Sequence, residues 1–438
     1  AAIGVLIPVQ IAVLGFGLNY ALFNLGIVAA GLGNVLLTVG GDLSVQAPID
    51  AGSGHLSALV TGQVTQGSGG NTAGDIFTTF SGTIEVQAGT SILMFEGNQT
   101  NGGTGNIRYQ AGGTLTISRL ATSGNVALKA GTSVVDNADA GAEDVSAAGL
   151  LIEAGTDIGS AANPVETTVI TLTGSSAGSG GTFVVEADAL IVDTLTVAVN
   201  RVLDTGVVSG TMTTQTQADV VAANNGPIVL DVGGSLTVNA GDGDDEGIRA
   251  IGNGHLRLDV TGFVSLQAGV RTDAGHISIV AVDDITQGGA SNVKGDITSG
   301  TGTIDVESSA GKITMFNGNS AATSGANIRY LAVGAGGPFA PVQSGELSVG
   351  DISAGAGVVS LKATTITDSG TSDIDVTAAG LRIETTHASG GAGTGVLPLH
   401  TAVTTVSAST GTAGLFLSET TDLVVDTRCS STILSEVP

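Results

Sequence analysis

GTIEVQAGTSILM, residues 82–94, alternates in character: Ile84 and Val86 are aliphatic, Thr83, Glu85 and Gln87 are polar, and Gly89 closes the run. A period of two puts successive side chains on opposite faces of an extended chain, so Ile84 and Val86 mark the buried face of a short strand. The same unit, Gly-x-aliphatic-x-aliphatic, recurs as GDLSV (41–45), GTLTI (113–117), GNVAL (124–128), GSLTV (234–238), GHLRL (254–258), GFVSL (262–266), GHISI (275–279), GTIDV (302–306), GELSV (345–349) and GVVSL (357–361). Gly, Ser, Asn, Asp and Thr fill the intervals, where the chain must turn. After residue 40 no stretch has a helical period.

Repetition also occurs on a larger scale. MFEGNQTNGGTGNIRY (94–109) returns as MFNGNSAATSGANIRY (315–330), an offset of 315 − 94 = 221 residues. Gly41–Ile76 aligns without a gap on Gly262–Ile297 at that offset. Beyond NIRY the second passage gains an insertion, GAGGPFAPVQS (334–344), after which AAGLLIE (147–153) matches AAGLRIE (378–384). An insertion that leaves the register intact belongs in a projecting loop.

Many short strands can form a sandwich, a barrel or a solenoid. Two scales of repetition favour the solenoid. So do 69 Gly and only 3% aromatic residues, since narrow coils need tight corners and have no room for bulky cores. The expected fold is all-β: a right-handed parallel β-helix (β-solenoid) built from two tandem copies of a unit of about 221 residues. The expected organisation is an uncharged apolar segment (1–33), a first solenoid copy (34–202), connecting coils (203–253), a second copy (254–427) and a tail (428–438).

Composition narrows function. A net charge of −26, from 39 acids against 13 bases, excludes a nucleic-acid footprint, which needs clustered Arg and Lys. It keeps an extended surface soluble. One cysteine, Cys429, excludes an intramolecular disulfide and suits a secreted bacterial protein, with an intermolecular link as the minor alternative. The chain opens AAIG rather than with Met, as a processed product would.

GTIEVQAGTSI (82–92), GNVALKAGTSV (124–134) and GTIDVESSAGKI (302–313) resemble coils of filamentous-haemagglutinin-type bacterial surface proteins. The resemblance spans most of residues 33–427 and implies a long right-handed β-helix, secretion, surface display and often adhesion. The chain departs from that family in lacking an NPNG-like secretion motif, its Asn-Pro being Asn163-Pro164, and a recognisable C-terminal barrel.

The first charge is Asp42. Within the uncharged start, Ile3, Val5, Ile7, Val9, Ile11 and Val13 place β-branched residues at alternate positions, a strand face rather than a membrane helix. Such a strand must be covered. Three readings stand: a cap on the solenoid end, a strand donated to the next subunit, and a membrane contact. Donation makes the chain its own partner, and a head-to-tail contact that does not close makes a fibre.

Few residues suggest chemistry. Asp242, Asp244 and Glu246 before Gly247 imitate the start of an EF-hand loop, but Asn253 stands where the bidentate Glu belongs. A solvated acidic turn is expected there, with weak Ca2+ binding the alternative and no other cofactor in view. His55 and His276 each follow a Gly, one per copy, and are expected as turn-exposed imidazoles, since one His is a poor zinc site. Arg108 and Arg329 of the two NIRY passages should point outward toward acids, with Ile and Tyr inward. Asp283-Asp284 is the tempting carboxylate pair for polysaccharide cleavage, but neighbours on a strand diverge. Asn98-Gln99-Thr100 is a glycosylation sequon. The expected protein is therefore not an enzyme. It is a structural extracellular filament subunit or stalk. The alternatives are an adhesin that meets a cell-surface or glycan ligand through a loop such as 334–344 and, remotely, a polysaccharide-active β-helix.

Overall fold

The computed structural model describes residues 11–12, 27–28, 33–137, 141–334, 345–370 and 373–426. Among them there is no helix, and so none long and apolar enough to cross a membrane. The fold is a right-handed parallel β-solenoid. The chain divides into two compact units, Ala1–Ala187 with Thr194–Ala218, and Asp188–Asp193 with Asp219–Pro438.

In the first unit the strands Val35–Val39, Leu56–Val60, Ile84–Ala88, Ile107–Ala111, Asn125–Ala130, Val145–Ala154 and Val165–Ser176 pair in sequence, each parallel to the next. A second column runs Leu43–Val45, Val64–Gln66, Ile92–Met94, Leu115–Ile117, Val134–Asp136. One coil takes between 19 residues (Ile107↔Val126, 126 − 107) and 28 (Leu56↔Ile84, 84 − 56). The second unit repeats the plan from Ile228–Val232 through Leu256–Val260, Ile277–Ala281, Ile304–Ser308, Ile328–Ala332, Asp351–Ala363 and Val376–Thr385 to Leu399–Ser409.

Like residues stack because the register matches them. Leu56, Ile84, Ile107 and Val126 succeed one another in one column and are fully buried. Each contributes about 1.5–3 kcal/mol of burial. The leading Gly of each unit has a steric cause. A Cβ on Gly105 would lie 1.9 Å from the carbonyl oxygen of Gly82, and one on Gly275 1.8 Å from that of Gly254. Coils stack so closely at this corner that no side chain fits.

The repeated NIRY passage also finds its reason. Tyr109 and Tyr330 are wholly inside, and each hydroxyl donates to a buried glutamine two coils back: Tyr109 to Gln66 Oε1 at 2.7 Å, Tyr330 to Gln287 Oε1 at 2.6 Å. Gln66 and Gln287 in turn donate to the carbonyls of Gly74 and Gly295, both at 3.1 Å. A buried phenol needs such a partner.

One element departs from the coil pattern. Leu195–Val199 and Thr213–Gln217 form an antiparallel hairpin. The expected boundary at residue 202 falls between these two strands. At the chain start, the backbone of Ile11–Ala12 pairs in parallel with Leu37 and Thr38, and Ile27–Val28 with Ile49 and Asp50. Of the interface candidates, Ile3, Val5, Ile7, Val9 and Val13 lie outside the described residues, as do Cys429 and residues 335–344.

Candidate functional site

The polar side chains concentrate in four places. The first lies under the hairpin of the first unit, which acts as a strap across successive coils. Val202 N donates to Ser57 Oγ at 2.9 Å, Asn200 N to Thr83 Oγ1 at 2.9 Å, Asn106 Nδ2 to the Ala198 carbonyl at 2.9 Å, and Asn34 Nδ2 to the Gly206 carbonyl at 2.9 Å. Leu195 and Val197 pack on Ala127 and Leu151. Glu85, outward on its strand as the alternation predicts, is completely buried. It accepts from Arg108 Nη1 at 3.1 Å and from Arg201 Nε at 2.9 Å. Arg108 thus points outward toward an acid, as expected, but beneath a cover.

The second place is the corner after each leading Gly. Here the imidazoles are not turn-exposed, which corrects the sequence expectation. His55 Nδ1 accepts from Thr83 N at 2.9 Å, His255 Nδ1 from His276 N at 3.0 Å, and His276 Nδ1 from Thr303 N at 3.0 Å. The rings of His255 and His276 stack with centroids 5.0 Å apart. Asn34 and Asn106 perform the same service, their Oδ1 atoms accepting from His55 N and Asn125 N at 2.9 and 2.8 Å. The column is a hydrogen-bond ladder, and each His must keep Nδ1 unprotonated to belong to it. Burial holds His55 and His255 below the ordinary histidine range, the latter also through the charge of His276.

The third is the acidic turn. Asp242 Oδ1 caps its own turn, accepting from Asp244 N at 3.1 Å. Glu246 leaves the set, pairing with Arg249 at 3.3 Å and Arg271 at 2.9 Å. Asp219 takes its place beside Asp242 and Asp244. Burial, with the charges of Asp242, Asp244 and Glu246, pushes Asp219 up to about 7. An open cleft of about 240 Å³ adjoins this turn, lined in part by Asp245, Arg271, Lys294 and Asp296.

The fourth was not foreseen from the sequence. Asp136, Asp144 and Glu166 bring carboxylate oxygens within 4.8 Å of one another, and Asp368, Asp375 and His400 do the same with two carboxylates and an imidazole. The two sets occupy equivalent positions. Asp136 and Asp368 end a second-column strand (Val-Val-Asp, Ile-Thr-Asp), facing inward where Ile117 and Val349 sit one coil earlier. Asp144 Oδ2 accepts from Glu166 N at 3.0 Å, and Asp375 Oδ2 from His400 N at 2.6 Å. Burial, and next the charge of its aspartate neighbour, raises Asp144 and Asp375 well above the usual carboxylate range. The signal available in the sequence was an Asp at an inward strand position, repeated ahead of the matched Asp-Val-x-Ala-Ala-Gly-Leu passages.

The other candidates stay apart. Asp283 and Asp284 sit in the turn before Ile285–Gln287; the Asp283 carbonyl accepts from Ser308 Oγ at 2.7 Å and Asp284 Oδ1 from Lys312 N at 2.9 Å. Asn98 is fully buried and bonded through both side-chain atoms, to Gly74 N at 2.7 Å and the Phe95 carbonyl at 2.9 Å, which closes its sequon to glycosylation in the folded chain. Asn319 repeats this with Gly295 and Phe316. Comparison with family models, with curated proteins and with solved structures gives no match.

Proposed function

We propose that the chain is a non-catalytic structural protein, a subunit of a filament or stalk of the filamentous-haemagglutinin-like kind, displayed outside a bacterial cell and lengthened by adding coil to coil. The observation that carries this reading is the last described coil. Its strands Gly414–Leu415, Leu417–Glu419 and Val424–Val425 pair with the coil before, at Gly391–Ala392 and Leu399–Ser409. Around them apolar side chains stand in solvent, Val425 at 80% and Val396 at 89% exposure, with Phe416 and Val424 beside them. An apolar strand edge is a template for another strand. Occupied by a second copy, it gives a contact that does not close on itself, and such contacts build fibres. The net charge of −26 opposes sideways association and so favours growth along one direction.

The test is assembly of the purified chain, followed by analytical ultracentrifugation and electron microscopy. Long assemblies are expected, with discrete particles for the double variant Val424→Lys, Val425→Lys. A second variant lacking residues 1–33 reports whether that segment supplies the opposing surface. Unmodified protein that stays monomeric at high concentration contradicts the proposal.

A further inference from the structure

We propose that each unit holds one divalent cation within its coil stack, at Asp136, Asp144 and Glu166 in the first and at Asp368, Asp375 and His400 in the second. The inference starts from Asp136. Its side chain is 2% exposed, points into an interior column otherwise made of Val45, Gln66, Met94 and Ile117, and has no hydrogen-bond partner on either carboxylate oxygen among the described residues. Oδ1 of the fully buried Asp144 also has none. The second unit repeats the deficit: Asp368 Oδ2, in a fully buried side chain, and His400 Nδ1 are unbonded and 3.8 Å apart.

This is not how the fold treats the buried Glu186 or the partly exposed Glu419. Glu186 accepts from Thr167 Oγ1 at 2.7 Å and from Val169 N at 3.0 Å, and the equivalent Glu419 accepts from Thr401 Oγ1 at 2.8 Å and Val403 N at 3.2 Å. Those acids are neutralised by donors; the clusters bring acid to acid instead. One amide donates into each cluster, to Asp144 and to Asp375, and leaving the remaining buried oxygens charged is costly; a cation or a shared proton must resolve it. Donor atoms within 4.8 Å of one another suit a metal placed among them, since calcium lies about 2.3–2.6 Å from each oxygen. The two donor sets differ in kind. Three carboxylates suit a hard ion, Ca2+. Two carboxylates and an imidazole suit Zn2+. In both units the site ties the end of one coil, at Asp136 or Asp368, to the coils that follow, at Asp144 and Glu166 or Asp375 and His400. The cation therefore acts as a staple in a chain that has no disulfide.

The test uses the full chain, stripped with a chelator, dialysed against Ca2+ and Zn2+ together, and assayed for bound metal. One Ca2+ and one Zn2+ per chain are expected, and each ion alone raises the unfolding temperature. Asp136→Asn should lose the Ca2+ and keep the Zn2+; His400→Ala should do the reverse. Stoichiometry in the unmodified chain decides the matter even where a variant misfolds. Retention of neither ion overturns the proposal, since shared protons then suffice. Loss of Ca2+ in Asp242→Asn rather than in Asp136→Asn also overturns it, because the ion then sits at the exposed turn.

Discussion

The first unit carries a strap over one lateral face of its coils, and the equivalent face of the second has no such cover among its described residues. Ser57, Glu85, Ala127 and Leu151 are fully buried beneath the hairpin. Their counterparts are Ser278, Asp305, Ser360 and Arg382, and Arg382 is exposed. Arg329 there grips Asp305 with two hydrogen bonds, at 2.6 and 2.7 Å, and reaches Glu307 at 2.8 Å, but remains about one-quarter exposed. The same coil can therefore present an apolar seat or a solvated ion network, depending on one outward residue per strand. The inward residues hardly change, since the stack itself constrains them.

That contrast can be broken by exchange. Leu151→Arg puts the side chain found at position 382 beneath the strap, where Leu195 and Val197 pack on fully buried Leu151 and leave a guanidinium no water. A loss of about 3 kcal/mol or more is expected by denaturant unfolding of the first unit. The reciprocal Arg382→Leu should change stability by less than about 0.5 kcal/mol. Next in size is Gly105→Ala, whose new methyl meets the Gly82 carbonyl; about 1–3 kcal/mol is expected, read in the same way.

The ion pairs sharpen the comparison. Arg201→Ala leaves the buried Glu85 with Arg108 as its remaining cation, at a cost of about 2–3 kcal/mol. This is below the figure for a fully buried pair, because Arg201 is itself one-third exposed. Arg329→Ala, on the solvated face, should cost about 1 kcal/mol or less and lose even that in high salt. The smallest effect is on pH. His55 and His255 have folded-state pKa values lowered by burial below the ordinary value of about 6.5. Their contribution is complete above that value and is lost as pH falls through it toward the folded-state value. The difference in unfolding temperature between the unmodified chain and His255→Asn, which keeps an acceptor as Asn34 and Asn106 do, should therefore open below pH 6.5 and vanish above it.

Much of the fold was legible in the sequence. The alternation of Ile84 and Val86 identified the strand and its inward face, and the recurrence of the leading Gly identified the stack. Outward Arg108 and Arg329 followed from the same alternation. The strap was not legible, because Leu195–Val199 reads like any coil strand; what separates it is a partner, Thr213–Gln217, found on the antiparallel side. Nor were the ladder histidines. Gly-His reads as a turn, and the acceptor role of Nδ1 appears only when Thr83 N and His276 N arrive from the next coil. Proximity was also hidden in the acidic clusters. Asp136 and Glu166 are 30 residues apart in the chain, and the coil closure brings them together. The run at 242–246 is locally dense in acids, yet its Glu246 pairs with arginines while Asp219 joins from a distance.

Amide hydrogen exchange across the first unit tests most directly whether outward side chains there serve to seat a strap. The Asn200 and Val202 amides, bonded to Thr83 and Ser57, should exchange as slowly as those of Ile84–Ala88, and Arg201→Ala should release them while the coil amides stay protected. Fast exchange throughout Thr194–Ala218 in the unmodified chain would show that the hairpin does not hold this face, and the difference between the two units would then need another cause.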